Sequence, residues 1–333
     1  MADLVESVLS LFNTRLPFKF IYANEYWMVD LGPHIFPVKK YRMLYEKLIA
    51  RGARPEDFIR PEPASDDDLR LVHTADYVNK VLTGTLSSLE LQALEMPFSS
   101  QLVQFFLLMT GGTIKAAEEA LRTGLSVHLG GGFHHAFPDH GEGFCLFNDV
   151  AIALEKMKKE GRINRAMIVD GDLHQGNGTA YFFGKRDYVF TFSIHQMDNY
   201  PSYKQASSLD IELHSGDSDE AYLTALQPHF PRLYEEYKPD LVIYIAGADP
   251  YQNDLLSGLD ISSAGLKKRD RLIIEQARRL KIPLAIVLGG GYADRIEETV
   301  EIHFNTVKEA IRTRRKGPQQ LVTSLISPKQ KIS

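Results

Sequence analysis

Short apolar runs alternate with longer amphipathic ones along this chain. The short runs are Lys19–Ala23, Leu125–Leu129, Arg165–Asp170, Tyr188–Ser193, Leu241–Ala246 and Leu284–Leu288. The longer ones predict helices over Val38–Ala50, Gln101–Thr123, Asp149–Lys159, Glu220–Tyr237, Ser262–Leu280 and Arg295–Arg314. Strands so uniformly apolar, each separated by a helix, predict an α/β fold with a parallel sheet covered on both faces. No Pro- or Gly-rich linker divides the middle, so residues 1–315 are expected to form one domain. Residues 316–333 are polar, contain Pro318 and Pro328, and read as a loosely held tail.

The segments just after the predicted strands are more informative than the strands themselves. Gly130-Gly131-Gly132-Phe133-His134-His135 comes after Leu129, and Asp170-Gly171-Asp172-Leu173-His174 after Val169. Ser193-Ile194-His195 comes after Phe192, Gly247-Ala248-Asp249 after Ala246, and Gly289-Gly290-Gly291-Tyr292 after Leu288. Open parallel sheets bind ligands beyond the carboxyl ends of their strands, so these five segments are expected to converge on one site.

Asp172 and His174 stand two apart on a segment leaving a strand, so their side chains point the same way. With Asp249 they could form an oxygen–nitrogen–oxygen set for one divalent ion, with a position left open as in catalytic zinc sites. A bland reading exists: Asp172 as a helix N-cap and His174 as its satisfied partner. The companion loops, Asp170 and Asn177 weigh against it. His134 and His135 could serve as general base and acid, Asp170 could hold one imidazole, and Asn177 could orient the other without adding charge. A histidine pair alone is as often a surface feature. Tyr292 could donate to a developing oxyanion; otherwise it is a rim tyrosine packing a loop.

Other candidates read as structural. Cys145 has no activating neighbour in sequence and reads as a buried small residue. His73 could lie on a helix face, His128 reads as core, and His303 is expected to face solvent or a neighbour on the last helix. Asp66-Asp67-Asp68 reads as the first turn of a helix, where the dipole favours negative charge. Arg312, Arg314, Arg315 and Lys316 read as a solvated basic end.

Composition narrows the classes. The 333 residues carry 38 basic and 43 acidic side chains, a net charge of −5 that argues against a duplex-gripping protein. One cysteine excludes an intrachain disulfide or a cysteine-rich zinc module, so any metal needs oxygen and nitrogen ligands. The start, MADLVESVLSLFNTR, places Asp3 and Glu6 where a signal peptide would be basic. No run approaches the roughly 20 apolar residues of a membrane span. A cytoplasmic, or at least intracellular, location is expected, the nucleus included if the source is eukaryotic.

The motifs HLGGGFHHAFPDHGEGFCLFND, VDGDLHQGNGT, SIH, AGADPYQNDLLSGLDIS and LGGGY resemble the zinc-dependent histone deacetylases. That resemblance runs from about His34 to Arg314, with the motifs in the family's order. TGGTIKAAEEA, LHQGNG and GLDISSAGLKKRD look most like the class IV type and its bacterial relatives. It implies the arginase–deacetylase fold, a central, mostly parallel sheet with helices on both faces and the active site at the C-terminal strand ends. It also implies hydrolysis of an acyl-lysine amide, acetyl or long-chain, with Zn²⁺ held by Asp172, His174 and Asp249. His134 and His135 would be the acid/base pair, Tyr292 the carbonyl-polarising phenol, and Asp170 the partner of His134. Phe144 and Tyr200 would wall the acyl channel, with Gly143 and Gly290 lining it by backbone. A monovalent cation such as K⁺ would sit at Asp170, Asp172, His174, Ser193 and Ile194.

Three positions depart from the family pattern. Asn177 replaces an acid found beside the second histidine in many members, which should lower the His135 pKa. Gly171 replaces a bulky residue, loosening packing. An acidic rim residue that grips substrate in some members has no clear match in Ser87–Ser100. Two alternatives share the fold. A binuclear manganese ureohydrolase needs bridging carboxylates where this chain has Gly176 and Gly247. A non-catalytic binder would be expected to lose a ligand, a histidine or the tyrosine, and all are present. Acylated polyamines and other small amides stay open as substrates, as does Fe²⁺ in place of zinc.

Overall fold

The computed structural model describes Leu16 and residues 18–315. The expected tail, 316–333, lies outside the described residues. Among the described residues, eight strands form one sheet: β1 Phe20–Ile21, β2 Phe58–Ile59, β3 Leu125–His128, β4 Ala166–Asp170, β5 Val189–Gln196, β6 Leu209–Leu213, β7 Leu241–Ile245 and β8 Leu284–Val287. Their order is β2-β1-β3-β8-β7-β4-β5-β6, and every pairing is parallel. This is the α/β arrangement that the apolar runs predict. Every residue of β3, β4, β7 and β8 is buried, as strands covered on both faces must be.

The chain order sets where a site can form. After β3 the chain jumps across two vacant positions to β4 and works outward to β6. It then returns to fill the gap with β7 and β8. The carboxyl ends of β3, β8, β7 and β4 therefore surround a crevice at the point where strand order reverses.

The helices are α1 Lys39–Ala50, α2 Asp66–Leu69, α3 Ala75–Thr83, α4 Ser88–Leu94, α5 Ser100–Thr123 and α6 Asp149–Lys159. They continue with α7 Asn177–Phe183, α8 Asp219–Leu226, α9 Arg232–Tyr237, α10 Ser263–Arg279 and α11 Ile296–Arg315. Their ends obey side-chain chemistry. The Ser99 hydroxyl accepts from the Leu102 amide at the start of α5, and Gly124 closes that helix with a left-handed φ of 84°. The acidic run does open a helix: Ser65 and Asp68 form a capping box on α2.

Three expectations need correction. The helix predicted over Glu220–Tyr237 is split into α8, a turn of 3₁₀ helix at Gln227–His229, and α9. Pro228 and Pro231 cause the break: each lacks an amide proton, and Phe230 before Pro231 is extended, at φ −115° and ψ 128°. Strands β2 and β6 are additions to the predicted set. Both are partly exposed edge strands, and Leu209–Leu213 mixes acids with leucines, so neither stands out as an apolar run. The basic end is not a solvated face. Arg312 pairs with Glu275 and Glu309, and Arg314 donates to the Thr123 carbonyl. The Arg315 side chain and Lys316 lie outside the described residues.

The two central loops are tied from beneath by Arg269 of α10, a fully buried side chain. Its guanidinium donates to the carbonyls of Gly171 (2.7 Å) and Gly247 (2.9 Å) and to the Asp270 carboxylate (2.9 Å). Asp270 also accepts from the Tyr244 and Thr306 hydroxyls, each at 2.6 Å. A Cβ on Gly171 would meet Arg269 Cδ, the Ile245 carbonyl and the Tyr244 ring at 3.4 Å, so these groups pack the position at ordinary contact distance. Replacing Arg269 by Met should cost about 3–5 kcal/mol of unfolding free energy, because it leaves a buried carboxylate without its cation. Urea denaturation checks this, and a loss below about 1 kcal/mol would show the tie to be dispensable.

Candidate active site

Three buried side chains converge at the ends of β4 and β7. Asp172, His174 and Asp249 each offer a ligand atom, and these atoms all lie within 4.8 Å of one another. The His174 Nδ1 stands 3.2 Å from Asp172 Oδ1 and 3.3 Å from Asp249 Oδ2. The remaining oxygens are committed to backbone amides: Asp172 Oδ2 accepts from Gly290, and Asp249 Oδ1 from Leu173. Asp249 Oδ2 is buried and has no hydrogen-bond partner among the described residues. Burial and the neighbouring Asp172 charge raise the Asp249 pKa. Burial works against a charged His174, but the two carboxylates outweigh it and raise its pKa to about 10. An orphan carboxylate oxygen, a second carboxylate and an imidazole nitrogen facing one point form a donor set that fits a divalent cation.

Glycine is forced where these loops touch. A Cβ on Gly290 would stand 2.0 Å from Asp249 Oδ2, and one on Gly247 would stand 2.7 Å from the Asp172 Cα. A Cβ on Gly176 would stand 2.7 Å from Asp170 Oδ2. The positions at which a two-metal enzyme carries bridging acids therefore have no room for a side chain.

The histidine pair stands beside this cluster. His134 Nδ1 is 2.7 Å from Asp170 Oδ2, and His135 Nδ1 is 2.7 Å from Asn177 Oδ1. The two Nε2 atoms are 3.1 Å apart. With both Nδ1 atoms donating outward, that contact requires one further proton. Electrostatics puts it on His134. Burial disfavours its charge, but the Asp170 and Asp172 carboxylates prevail and raise its pKa to about 9. A cation held by Asp172 would offset that residue's share. His135 is driven well below the ordinary histidine value by burial and by the charges of His134 and His174. This is the direction expected from Asn177 in place of an acid.

The loop carrying the pair is fixed by a chain of buried polar groups. Tyr26 donates to His128 Nε2 at 2.8 Å, and His128 Nδ1 donates to Thr113 Oγ1 at 3.0 Å. Thr113 donates to Asp149, whose carboxylate accepts the Gly132 amide at 3.0 Å and the Phe133 amide at 2.8 Å. His128 is thus core, held neutral with a pKa lowered to about 3 by burial. His73 braces the other flank, donating from Nδ1 to the Phe137 carbonyl and accepting the Asn148 amide at Nε2. His303 is fully buried, not solvent-facing.

A cavity of about 160 Å³ opens onto these groups and is lined by Phe144, Tyr200, Gly143, Gly290 and Tyr292 together with the histidines. The Phe144 ring lies 6.0 Å from that of Tyr292, and Tyr200 lies edge-on to His135 at 5.0 Å. Gly143 takes φ 52°, and a Cβ there would come 2.8 Å from Tyr200. Burial and the charges of Asp249 and Asp172 raise the Tyr292 pKa, so its hydroxyl stays a donor. Cys145 is buried and its thiol pKa is raised by burial, as a structural residue's would be. Ser193 sits beside Asp170 in the β4–β5 register, and Ile194 and His195 fall inside β5 rather than beyond it. Ser193 Oγ lies 2.9 Å from His195 Nδ1.

Four further residues belong to the site although sequence reasoning does not single them out. Glu95 lines the cavity, inside the very segment that offers no clear match to a rim acid. Asp254 accepts the amides of Tyr292 and Leu256 and so ties the tyrosine loop to the mouth. Lys40 donates to the Gly289 carbonyl at 3.0 Å and lies 5.5–5.7 Å from the rings of Phe36, Tyr41 and Tyr292. Burial lowers its pKa to about 8. Glu142 links Asn177 to Tyr200. Only Glu142 and Asp254 carry a signal, as acids inside the family-like motifs; a lysine in an amphipathic helix reads as solvent-facing.

Comparison with known proteins agrees with this geometry. An uncharacterized protein of Picosynechococcus is 41% identical over 287 residues, covering 86% of this chain and 96% of that protein. Histone deacetylase 2 of Arabidopsis thaliana is 33% identical, covering 82% of this chain and 74% of its own length. Among solved structures, an HDAC homologue complexed with SAHA superposes with a TM-score of 0.76 at 23% identity, over 92% of this chain and 88% of that one. The family model for the histone deacetylase domain matches residues 34–307. Because that match runs through every strand end that contributes to the crevice, the chain belongs to the histone deacetylase family and carries its arginase–deacetylase fold.

Proposed function

We propose that this deacetylase-family protein removes acyl groups from lysine side chains by metal-dependent amide hydrolysis. The observation that carries the reading is the convergence of the Asp172–His174–Asp249 cluster, the histidine pair and Tyr292 on one cavity. Asp172, His174 and Asp249 would hold the ion, which we take to be Zn²⁺, and when bound it would supply Lewis acidity toward water and the acyl carbonyl.

In this reading His135, the neutral member of the pair, accepts the proton of the attacking water at Nε2. Tyr292 donates its phenolic hydrogen bond to the carbonyl oxygen as negative charge develops there. His134, held as imidazolium by Asp170, supports the developing charge and supplies a proton to the departing amine. Phe144 and Tyr200 flank the acyl chain, while the backbone of Gly143 and Gly290 admits it closely. Glu95 at the mouth is placed to accept hydrogen bonds from the substrate. Asp170, Asp172, His174, Ser193 and Ile194 are the positions we assign to a monovalent cation. The class IV motifs support that subtype. The single buried Cys145 suits the reducing cytoplasm, and no helix among the described residues is long and apolar enough to cross a membrane.

A panel of acyl-lysine peptides and acylated polyamines, run with and without chelator, tests the reading. Lysine peptides should turn over, and chelation should abolish the reaction; turnover confined to polyamines would replace the substrate class. Tyr292→Phe should lose on the order of 10²–10³ in kcat at unchanged metal content, measured by steady-state kinetics alongside elemental analysis. Elemental analysis should find one divalent ion per chain, and His174→Ala should lose it. Because His174 and the carboxylates must shed protons to bind a cation, its affinity should fall as pH is lowered from 8 to 6. Competition with a chromophoric chelator measures this.

A further inference from the structure

The replacement of an acid by Asn177 leaves a question of orientation. An amide has one accepting and one donating end, and either could face His135. Only the accepting end leaves Nε2 of His135 as a lone pair, able to face the protonated Nε2 of His134 at 3.1 Å and to take up a proton. The donating end would force the opposite tautomer and put a hydrogen on Nε2.

Glu142 decides between them. Its Oε1 accepts from Asn177 Nδ2 at 2.7 Å and from the Tyr200 hydroxyl at 2.8 Å. His140 Nε2 stands 3.4 Å from Oε2. Burial alone would raise the Glu142 pKa, but these hydrogen bonds lower it, so the group is a carboxylate that can only accept. It therefore holds Nδ2 toward itself and Oδ1 toward His135.

We propose that Glu142 is a positioning residue that acts through Asn177 to fix the His135 tautomer with hydrogen on Nδ1, and through Tyr200 to seat the channel wall against the same ring. The acid absent beside His135 is thus displaced by one residue, with the amide as relay. Because one oxygen serves both donors, the base and the wall are set together. The Tyr200 ring lies 5.0 Å from that of His135, and Gly143 leaves room for both.

This deepens the deacylase reading and rests on it for its kinetic arm alone. Glu142→Gln keeps the shape but offers the amide of Asn177 both a donor and an acceptor. It should lower kcat about 10–100-fold, as loss of an orienting partner typically does, with metal content unchanged. Adding Asn177→Asp reverses the order of amide and carboxylate and restores an acceptor on His135 Nδ1. The double variant should recover to within about threefold of the parent rate, a rescue that general structural damage would not give.

Long-range ¹H–¹⁵N spectra of histidine-labelled, zinc-loaded protein read the tautomer directly. The parent and the double variant should show His135 with hydrogen on Nδ1, and Glu142→Gln a mixture. A double variant no faster than Glu142→Gln alone, or an unchanged His135 tautomer in Glu142→Gln, would overturn the assignment. If the parent hydrolyses no acyl-lysine, the deacylase reading fails, while the spectra still decide the role of Glu142.

Discussion

The two strand ends that carry the aspartates of the cluster are paired through the β4–β7 ladder and tied again beneath the crevice by one cation. Arg269 gives a single guanidinium nitrogen to the carbonyls of Gly171 and Gly247, one residue before Asp172 and two before Asp249. Burying an arginine is unfavourable unless it is paired, and here the Asp270 carboxylate accepts from Nε and lies 2.9 Å from Nη2, while the two carbonyls accept from Nη1. The tie fixes the spacing of the ligand loops whether or not an ion lies between them.

Charge balance comes from the same placement. Asp170, Asp172, Asp249 and Asp254 are all buried, a concentration of negative charge that a low-dielectric interior penalises heavily. His134, His174 and Lys40 are buried among them and carry the compensating protons. The histidine pair is asymmetric for this reason: the ring backed by Asp170 is held charged, the one backed by an amide is held neutral. Two adjacent residues of one type acquire different protonation through what lies behind each of them.

Much of this is legible in the amino-acid order. The central strands are buried on both faces, so their apolar runs stand out, and the glycine–acid–histidine segments that succeed them mark the crevice. The edge strands β2 and β6 do not stand out, because half-exposed strands mix polar and apolar residues without a clear period. The break within 220–237 is masked because the apolar spacing continues across two prolines. Lys40 is hidden because its burial is decided by a partner distant in sequence, the Gly289 carbonyl, and Glu95, an exposed residue, is hidden because only the fold brings it to the cavity. The Asp172–His174 pair is readable at a spacing of two. Its relation to Asp249 appears only once β4 and β7 lie side by side.

The strand order divides the sheet cleanly by sequence. The strands before residue 160 (β1, β2 and β3) are contiguous on one side, and those after it (β4 to β8) on the other, so the two parts of the chain meet along the β3–β8 seam. The histidine pair, Glu142 and Phe144 belong to the first part, whereas the Asp–His–Asp cluster, Asn177, Tyr200 and Tyr292 belong to the second. The hydrogen bonds from His134 to Asp170 and from His135 to Asn177 both cross between them. Neither part holds a complete site, and the turn that joins them, Glu160-Gly161-Arg162, is exposed. The architecture thus makes the site a joint product of both parts, and its chemistry registers whether they are correctly apposed.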